Sequence, residues 1–461
     1  MHCSISLTIA NKIHSSCGNM FLTQAICNKT NRQVTSENIW AILLSAWKFL
    51  LRGSIVMERK PKRMPKLVST TLSIYMIINA SSSFAQGSDE GLKFNVGQNI
   101  YYDSNIYRLA DGISAPAGKR SDWVGITGFG LSFDKTYGRQ KVFAEMGIDR
   151  TYHAVHKSLD YTGGNAALRW DWALGRQWSG QFGHEQREAL AGFDEFIGAT
   201  QSVNIFRKSM ASADYWWLPD WAVGGGVMRL SSRFRDNARP ESEYDADVVD
   251  LNLAYRPVSG NRVMLSMRST DGRYANRPAV AGSMRDYEQR EVRLGAEWQA
   301  TGKLRLTGYV GRTQREYAFA SNRDFEGATG RLALTWAATG KTTVDLSLRR
   351  EIGAEEDVVA NYAITEAINL RPVWAITDKL AFGTEFELRR RDFGGNAGDP
   401  AFTGTPVAGE ERSYLYGLSL NYRPLRSTTV SLGLARRIRT AGDPLREFDA
   451  DTARISARMA F

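Results

Sequence analysis

Four arginines, Arg389, Arg391, Arg437 and Arg439, stand in two i, i+2 pairs within segments that alternate polar and apolar residues. On an extended chain an i, i+2 pair shares one face, and each guanidinium can hold a carboxylate or phosphate through paired N–H donors. Arg349, Arg350, Arg390 and Arg436 thicken the same zones. The residue types therefore offer anion recognition. It could neutralise phosphates at a lipid surface or guide an acidic polymer. Bond-breaking chemistry finds less support. Gly340-Lys341-Thr342 has the ending of a phosphate-binding loop, but Thr335 stands where the first glycine belongs, and the segment joins two extended runs instead of opening a helix. Gly224-Gly225-Gly226 fails as a dinucleotide fingerprint because residue 229 is Arg; glycines inside a strand are expected to mark a bend. After residue 85 the histidines are His153, His156 and His184, and the first two fall near an expected loop, where solvated side chains are expected. Cys3, Cys17 and Cys27 all precede residue 57, so the body of the chain has no thiolate chemistry. No metal, cofactor or enzymatic activity is expected.

What must position the arginines follows from the rest of the chain. Its 461 residues are 43% hydrophobic and 23% charged, with 42 Gly, a balance that excludes a disordered chain. The longest apolar windows, 39–51 and 67–80, are too short to span a bilayer as helices. The net charge of +10 suggests a nucleic-acid partner until it is located. Residues 1–85 hold ten basic and two acidic residues, which leaves about +2 for the remainder, and no nucleic-acid partner is expected.

The basic excess belongs to a leader. Glu58-Arg59-Lys60-Pro61-Lys62-Arg63 with Lys66 is a basic stretch, residues 67–80 are apolar, and Ser83-Phe84-Ala85 offers small residues ahead of Gln86. That order reads as a secretory signal over 57–85. Residues 1–56 remain an unassigned extension that need not be translated, and 86–461 is the exported body.

Beyond Gln86 the hydrophobic pattern has period two. Val292, Leu294, Ala296 and Trp298 alternate with Glu291, Arg293, Gly295 and Glu297, then a turn at 299–303 reverses the chain into Leu304, Leu306, Gly308 and Val310. The arrangement recurs at Trp336 to Lys341 and at Trp374 to Lys379. Segmentation gives eighteen strands, beginning near 91, 122, 140, 160, 177, 200, 221, 243, 260, 284, 302, 325, 341, 361, 378, 411, 427 and 447. Short turns alternate with long connections, among them 103–121, 188–199, 271–283, 318–325, 351–360 and 393–410. Eight tryptophans (172, 178, 216, 217, 221, 298, 336, 374) flank the short turns, as an interfacial girdle requires. The last strand alternates back from Phe461 through Met459, Ala457, Ile455 and Ala453, resembling the terminal signal read by the outer-membrane assembly machinery. The expected fold is all-β: a transmembrane antiparallel up-and-down β-barrel of about 18 strands in the bacterial outer membrane. Its size leaves room for an aqueous lumen. Membrane lipid and lipopolysaccharide are the expected neighbours. By phase, Leu306, Leu334, Leu346 and Leu432 face lipid and Thr307, Thr335 and Ser347 face the lumen. The four arginines are lumen-phase residues at the outer ends of rising strands, expected to be solvated.

Tyr101-Tyr102-Asp103-Ser104-Asn105-Ile106-Tyr107-Arg108-Leu109 at the end of the first strand resembles a segment of the exopolysaccharide-operon outer-membrane proteins called EpsL, within a wider family of β-barrel porins. Tyr102, Asp103, Asn105, Arg108 and Leu109 carry the likeness. The repeated W-x-x-T-x-K turns and Phe461 extend it along the body. The resemblance implies a conduit or accessory in exopolysaccharide export, with the polysaccharide as a partner. A general diffusion porin for small solutes is the alternative, and an outer-membrane polysaccharide hydrolase or lyase is the rival of another class.

Overall fold

The computed structural model describes residues 91–194, 201–257, 259–281, 283–321, 324–353, 364–393 and 409–461. The readings of 1–56 and 57–85 lie outside these residues, as do parts of the connections expected at 188–199, 351–360 and 393–410. The chain forms β1 (Gly91–Asp103), β2 (Asp122–Tyr137), β3 (Gln140–His153), β4 (Tyr161–Leu174), β5 (Trp178–Leu190) and β6 (Val203–Trp216). Then come β7 (Trp221–Phe234), β8 (Tyr244–Tyr255), β9 (Arg262–Arg273), β10 (Asp286–Thr301), β11 (Leu304–Tyr317) and β12 (Phe325–Ala337). The last six are β13 (Thr342–Ile352), β14 (Ile364–Ala375), β15 (Leu380–Phe393), β16 (Gly409–Leu425), β17 (Thr428–Ala441) and β18 (Phe448–Ala460). Each strand pairs antiparallel with its neighbour in the chain, and β1 pairs with β18 from Asn95↔Ala460 to Asp103↔Thr452. The 18-stranded sheet therefore closes on itself, which leaves no edge to satisfy in lipid.

Register separates two faces. Leu306, Leu334, Leu346, Leu370 and Phe386 oppose one another in one row across five strands. One residue along, Thr307, Ala333, Ser347, Asn369 and Glu387 form the parallel row on the other face. Leu432 belongs to the apolar set, opposite Leu420 and Ile455. That face exposes Val292, Leu294, Val310 and Leu434, which suits contact with hydrocarbon. Trp178, Trp221, Trp298, Trp336 and Trp374 ring its short-turn end. Eight positions up the strands the same face turns charged, at Arg229 above Trp221, Asp247 above Tyr255 and Arg290 above Trp298. Eight residues on a tilted strand rise about 20 Å, close to the height of the apolar band of an outer-membrane barrel.

The girdle has an exception. Trp216 turns to the lumen, where its indole N–H donates to Ser179 Oγ at 2.9 Å and Arg256 lies 4.2 Å over the ring. Period two decides this, because Trp216 and Trp217 are consecutive and cannot both face lipid. The glycine run of β7 also acquires a specific reason. A Cβ on Gly224 would run into the Asp214 carboxylate and stand 2.9 Å from the Ala213 carbonyl, so glycine here leaves room for its neighbours.

On the lumen face of β11 and β12 exposure falls towards the long loops. Arg305 and Thr335, near the short turns, and Arg331 at mid-strand are exposed. Thr313, Arg315 and Tyr317 on β11 and Thr329 and Phe325 on β12, near the long loops, are buried. The barrel is thus open at its short-turn end and filled by inward-folded loops at the other. Two apolar clusters hold those loops: one gathers Ile106, Tyr107, Val124, Leu159 and Phe193, the other Phe206, Leu230, Tyr244, Val248 and Tyr274.

Candidate functional site: an arginine-lined constriction

The connection 104–121 is built by the segment that ends β1. Asp103 Oδ1 accepts from the Asn105 backbone N–H at 2.9 Å, and both its oxygens accept from Arg108, each at 3.0 Å. The Asn105 amide accepts from Leu109 N at 2.9 Å and donates to Leu109 O at 2.9 Å and to Asp449 O at 3.1 Å. These bonds curl the chain into a tight knot, with Arg108 at a left-handed φ of 55°, and tie it to β18. Tyr102 is on the lipid side, its ring 5.3 Å from that of Trp123. The five residues of the Tyr102–Leu109 segment are thus mostly a loop-folding device, and Arg108 is its contribution to the lumen.

Arg108 meets an acid from a distant loop. Its Nε donates to Asp194 Oδ1 at 3.1 Å, and Arg437 Nη1 donates to Asp194 Oδ2. Arg439 Nη1 donates to the Asp194 carbonyl, and Arg439 Nε donates to the Arg446 carbonyl at 2.6 Å. Glu411 pairs with Arg446 and lies 3.8 Å from Arg439. Arg439 and Arg108 both lie over the Phe448 ring, 4.5 and 5.8 Å from its centroid. Arg389 stands 3.6 Å from Glu387, and Arg391 is buried between its register neighbours Thr365 and Glu411.

Burial pushes the Asp194 carboxyl up, but the charges of Arg437, Arg108, Arg389 and Arg439 outweigh it and hold the group below the usual carboxylate range. Burial likewise pulls Arg108 down, and Asp103 and Asp194 more than restore it, so its pKa is raised. Both groups stay charged. Arg108, Arg389, Arg391, Arg437, Arg439 and Arg446 outnumber Asp103, Asp194, Glu387 and Glu411, which leaves the site cationic. Such a cluster in a confined lumen attracts carboxylates and phosphates and repels cations.

The expectation of a solvated arginine rim is corrected. Arg391, Arg437 and Arg439 are only 6%, 6% and 4% exposed, because the loops carrying Arg108, Asp194 and Arg446 fold over them. Outward rim positions belong to the other phase: Arg350 pairs with Glu366, Arg390 with Glu410 at 2.9 Å, and Arg436 with Asp449. His153 and His156 are also buried, at 2% and 3% exposure. His153 Nδ1 is 3.1 Å from Asp160 Oδ1, and the His156 ring meets Tyr107 edge-on at 4.8 Å. Asp194 escaped sequence reasoning. Nothing in Gly192-Phe193-Asp194 marks it, since its partners are brought to it by closure of the barrel.

The long-loop end therefore carries a buried, charged cluster and the short-turn end an open lumen. Residues 229–461 match a family model described as "Putative beta-barrel porin 2". The chain belongs to this porin family. It is an outer-membrane β-barrel, so the short turns are periplasmic and the inward-folded loops extracellular. No curated protein matches the chain. Solved structures resembling it include the outer-membrane protein OpdK of Pseudomonas aeruginosa, 14% identical with a TM-score of 0.44, over 81% of this chain and 99% of that one. Another is OccK2 (OpdF) of the same organism, 14% identical with a TM-score of 0.45, over 80% and 98%. A BenF-like porin from Pseudomonas fluorescens is 11% identical with a TM-score of 0.43, over 81% and 99%. Among the described residues of this porin, no group of three or more His, Cys, Asp or Glu is placed to hold a metal ion.

Proposed function

We propose that the chain is a passive diffusion channel for small solutes, selective for anions. The observation that carries this reading is the cluster of Arg108, Arg437 and Arg439 around Asp194, standing inside a barrel whose periplasmic half is open. A solute reaching the cluster would meet guanidinium groups already held in place by Phe448, Glu411 and the Asp103 knot, so little reorganisation opposes its entry. Inward-folded extracellular loops favour small molecules over a wide polymer. Reconstitution in planar bilayers tests this: reversal potentials in a salt gradient should report anion selectivity, reduced by Arg437→Gln and Arg439→Gln. Cation selectivity, or none, in the wild type would refute it.

The Tyr102–Leu109 resemblance supports a narrower reading, an accessory role in exopolysaccharide secretion. On that reading the polysaccharide, or acidic fragments of it, meets the extracellular mouth. A deletion strain should then secrete less polymer while its synthesis continues. Normal secretion leaves the solute channel as the role.

A further inference from the structure

The lipid face carries a groove that its channel role does not use. It has a volume of about 600 Å³ and runs over β4 to β8, between an aromatic ridge and an aliphatic one. Leu168, Trp170 and Phe182 form the first, with the Trp170 and Phe182 rings stacked at 5.6 Å. Val227 and Val249 form the second. The floor is Ala211, flanked at the same face by Gly180, Ala213 and Gly225, which carry too little side chain to fill it. The head of the groove is polar. His184, Ser209, Arg229 and Asp247 oppose one another in one row across four strands. His184 Nδ1 and Ser209 Oγ are hydrogen-bonded at 2.8 Å, and Arg229 lies 3.8 Å from Asp247 with both side chains well exposed.

Height decides what covers it. Arg229 and Asp247 stand at the level where the apolar band ends on strand after strand, and Ser209 and His184 lie just below. A groove apolar below that level and headed at it by a hydroxyl, an imidazole and the loose, exposed Arg229–Asp247 pair matches an amphiphile of the outer leaflet: an acyl chain in the trough and an anionic oxygen cluster that takes Arg229 from Asp247. We propose that this groove seats lipopolysaccharide, one lipid A acyl chain lying over Ala211 and a lipid A phosphate accepting from Arg229 and Ser209. A phosphate there would gain charge-assisted hydrogen bonds at the edge of a low-dielectric slab, where they are worth more than in water.

The test uses the full chain in detergent, titrated with bis-phosphorylated hexa-acyl lipid A and read by native mass spectrometry, with heat-modifiable migration checking that each variant is folded. Ala211→Trp fills the trough, Arg229→Glu reverses the head, and Arg312→Glu changes an arginine of similar height on β11, outside the groove. The wild type should retain one lipid A, with either groove variant weakening it by about tenfold and Arg312→Glu changing it little. Two folded groove variants that bind as the wild type does would overturn the proposal. So would an equal loss in Arg312→Glu, which would reduce the effect to general headgroup charge. A dimer that Ala211→Trp dissolves would assign the groove to a second copy of the chain instead.

Discussion

Arg108 and Asp194 are 86 residues apart in the chain and 3.1 Å apart in space, joined across the lumen from two different extracellular loops. The pair links the loop knotted by Asp103 and Asn105 to the arginines of β17. It thereby fixes where Asp194 sits inside the barrel.

Asp194→Asn keeps the shape but removes the charge that holds Arg108 and Arg437. The constriction should loosen and become more cationic, so single-channel conductance and anion preference should both rise. The pH dependence has a definite sign. The carboxyl is depressed below its unfolded value, near 3.9. Its stabilisation is therefore complete above that value and fades as pH falls towards the folded one. In the folded channel the carboxyl protonates only at its own depressed value, so this group should leave conductance constant from pH 7 to about pH 4, raise it only well below that, and lose the acid step in Asp194→Asn. An unchanged step in the variant would assign it to another group.

Asn105→Ala deletes three hydrogen bonds that no water can replace in the same geometry. At about 1 kcal/mol each, their loss should free the 104–121 loop while the barrel remains heat-modifiable. Limited proteolysis of intact cells should cut this loop in the variant and spare it in the parent. Equal resistance would mean that the Ile106 and Tyr107 anchors suffice alone.

Arginine at Leu306 or Leu432 enters hydrocarbon and should cost about 2–4 kcal/mol near the midplane, and less towards either interface. Arginine at Thr307 or Thr335, one register step away on the lumen face, should cost much less. Refolding titrations in lipid vesicles measure the difference, and equal costs would reverse the assignment of faces.

Phe461 helps close the barrel through its backbone. Its N–H donates to Phe94 O at 2.9 Å, and Phe94 N–H donates to Phe461 O at 3.1 Å. Deleting it should lower the yield of inserted protein and raise periplasmic degradation, read by cell fractionation. Normal insertion would separate the terminal aromatic from assembly.

The barrel was legible because each strand carries its own evidence: alternation, a Trp or Tyr at the short turn, and a charge where the band ends. Expected starts near 91, 122, 140, 221 and 325 are those observed, and the start expected near 200 falls at Val203. Lumen phase placed Arg389, Arg391, Arg437 and Arg439 on the correct face for the same reason. Their burial was not legible. It depends on loops folding inward, and a loop such as Gly192-Phe193-Asp194 has no period to announce where it goes. His153 and His156 were misjudged in the same way, since a strand end is solvated only if no neighbouring loop covers it. Trp216 shows the limit of counting girdle residues without phase.

The one-sided filling of the lumen has an electrical consequence. On the proposed channel reading, the open vestibule and the charged cluster act as two resistors in series, and the cluster dominates. Most of an applied voltage therefore falls over the short stretch around Asp194, and the periplasmic vestibule is nearly equipotential with the solution behind it. Ions arriving from the two sides meet the cluster under different conditions, one directly from bulk and one through an antechamber whose lining mixes Arg305 and Arg331 with Asp345 and Glu385. Current through this barrel should be larger in one direction than the other, an asymmetry that comes from where the loops fold.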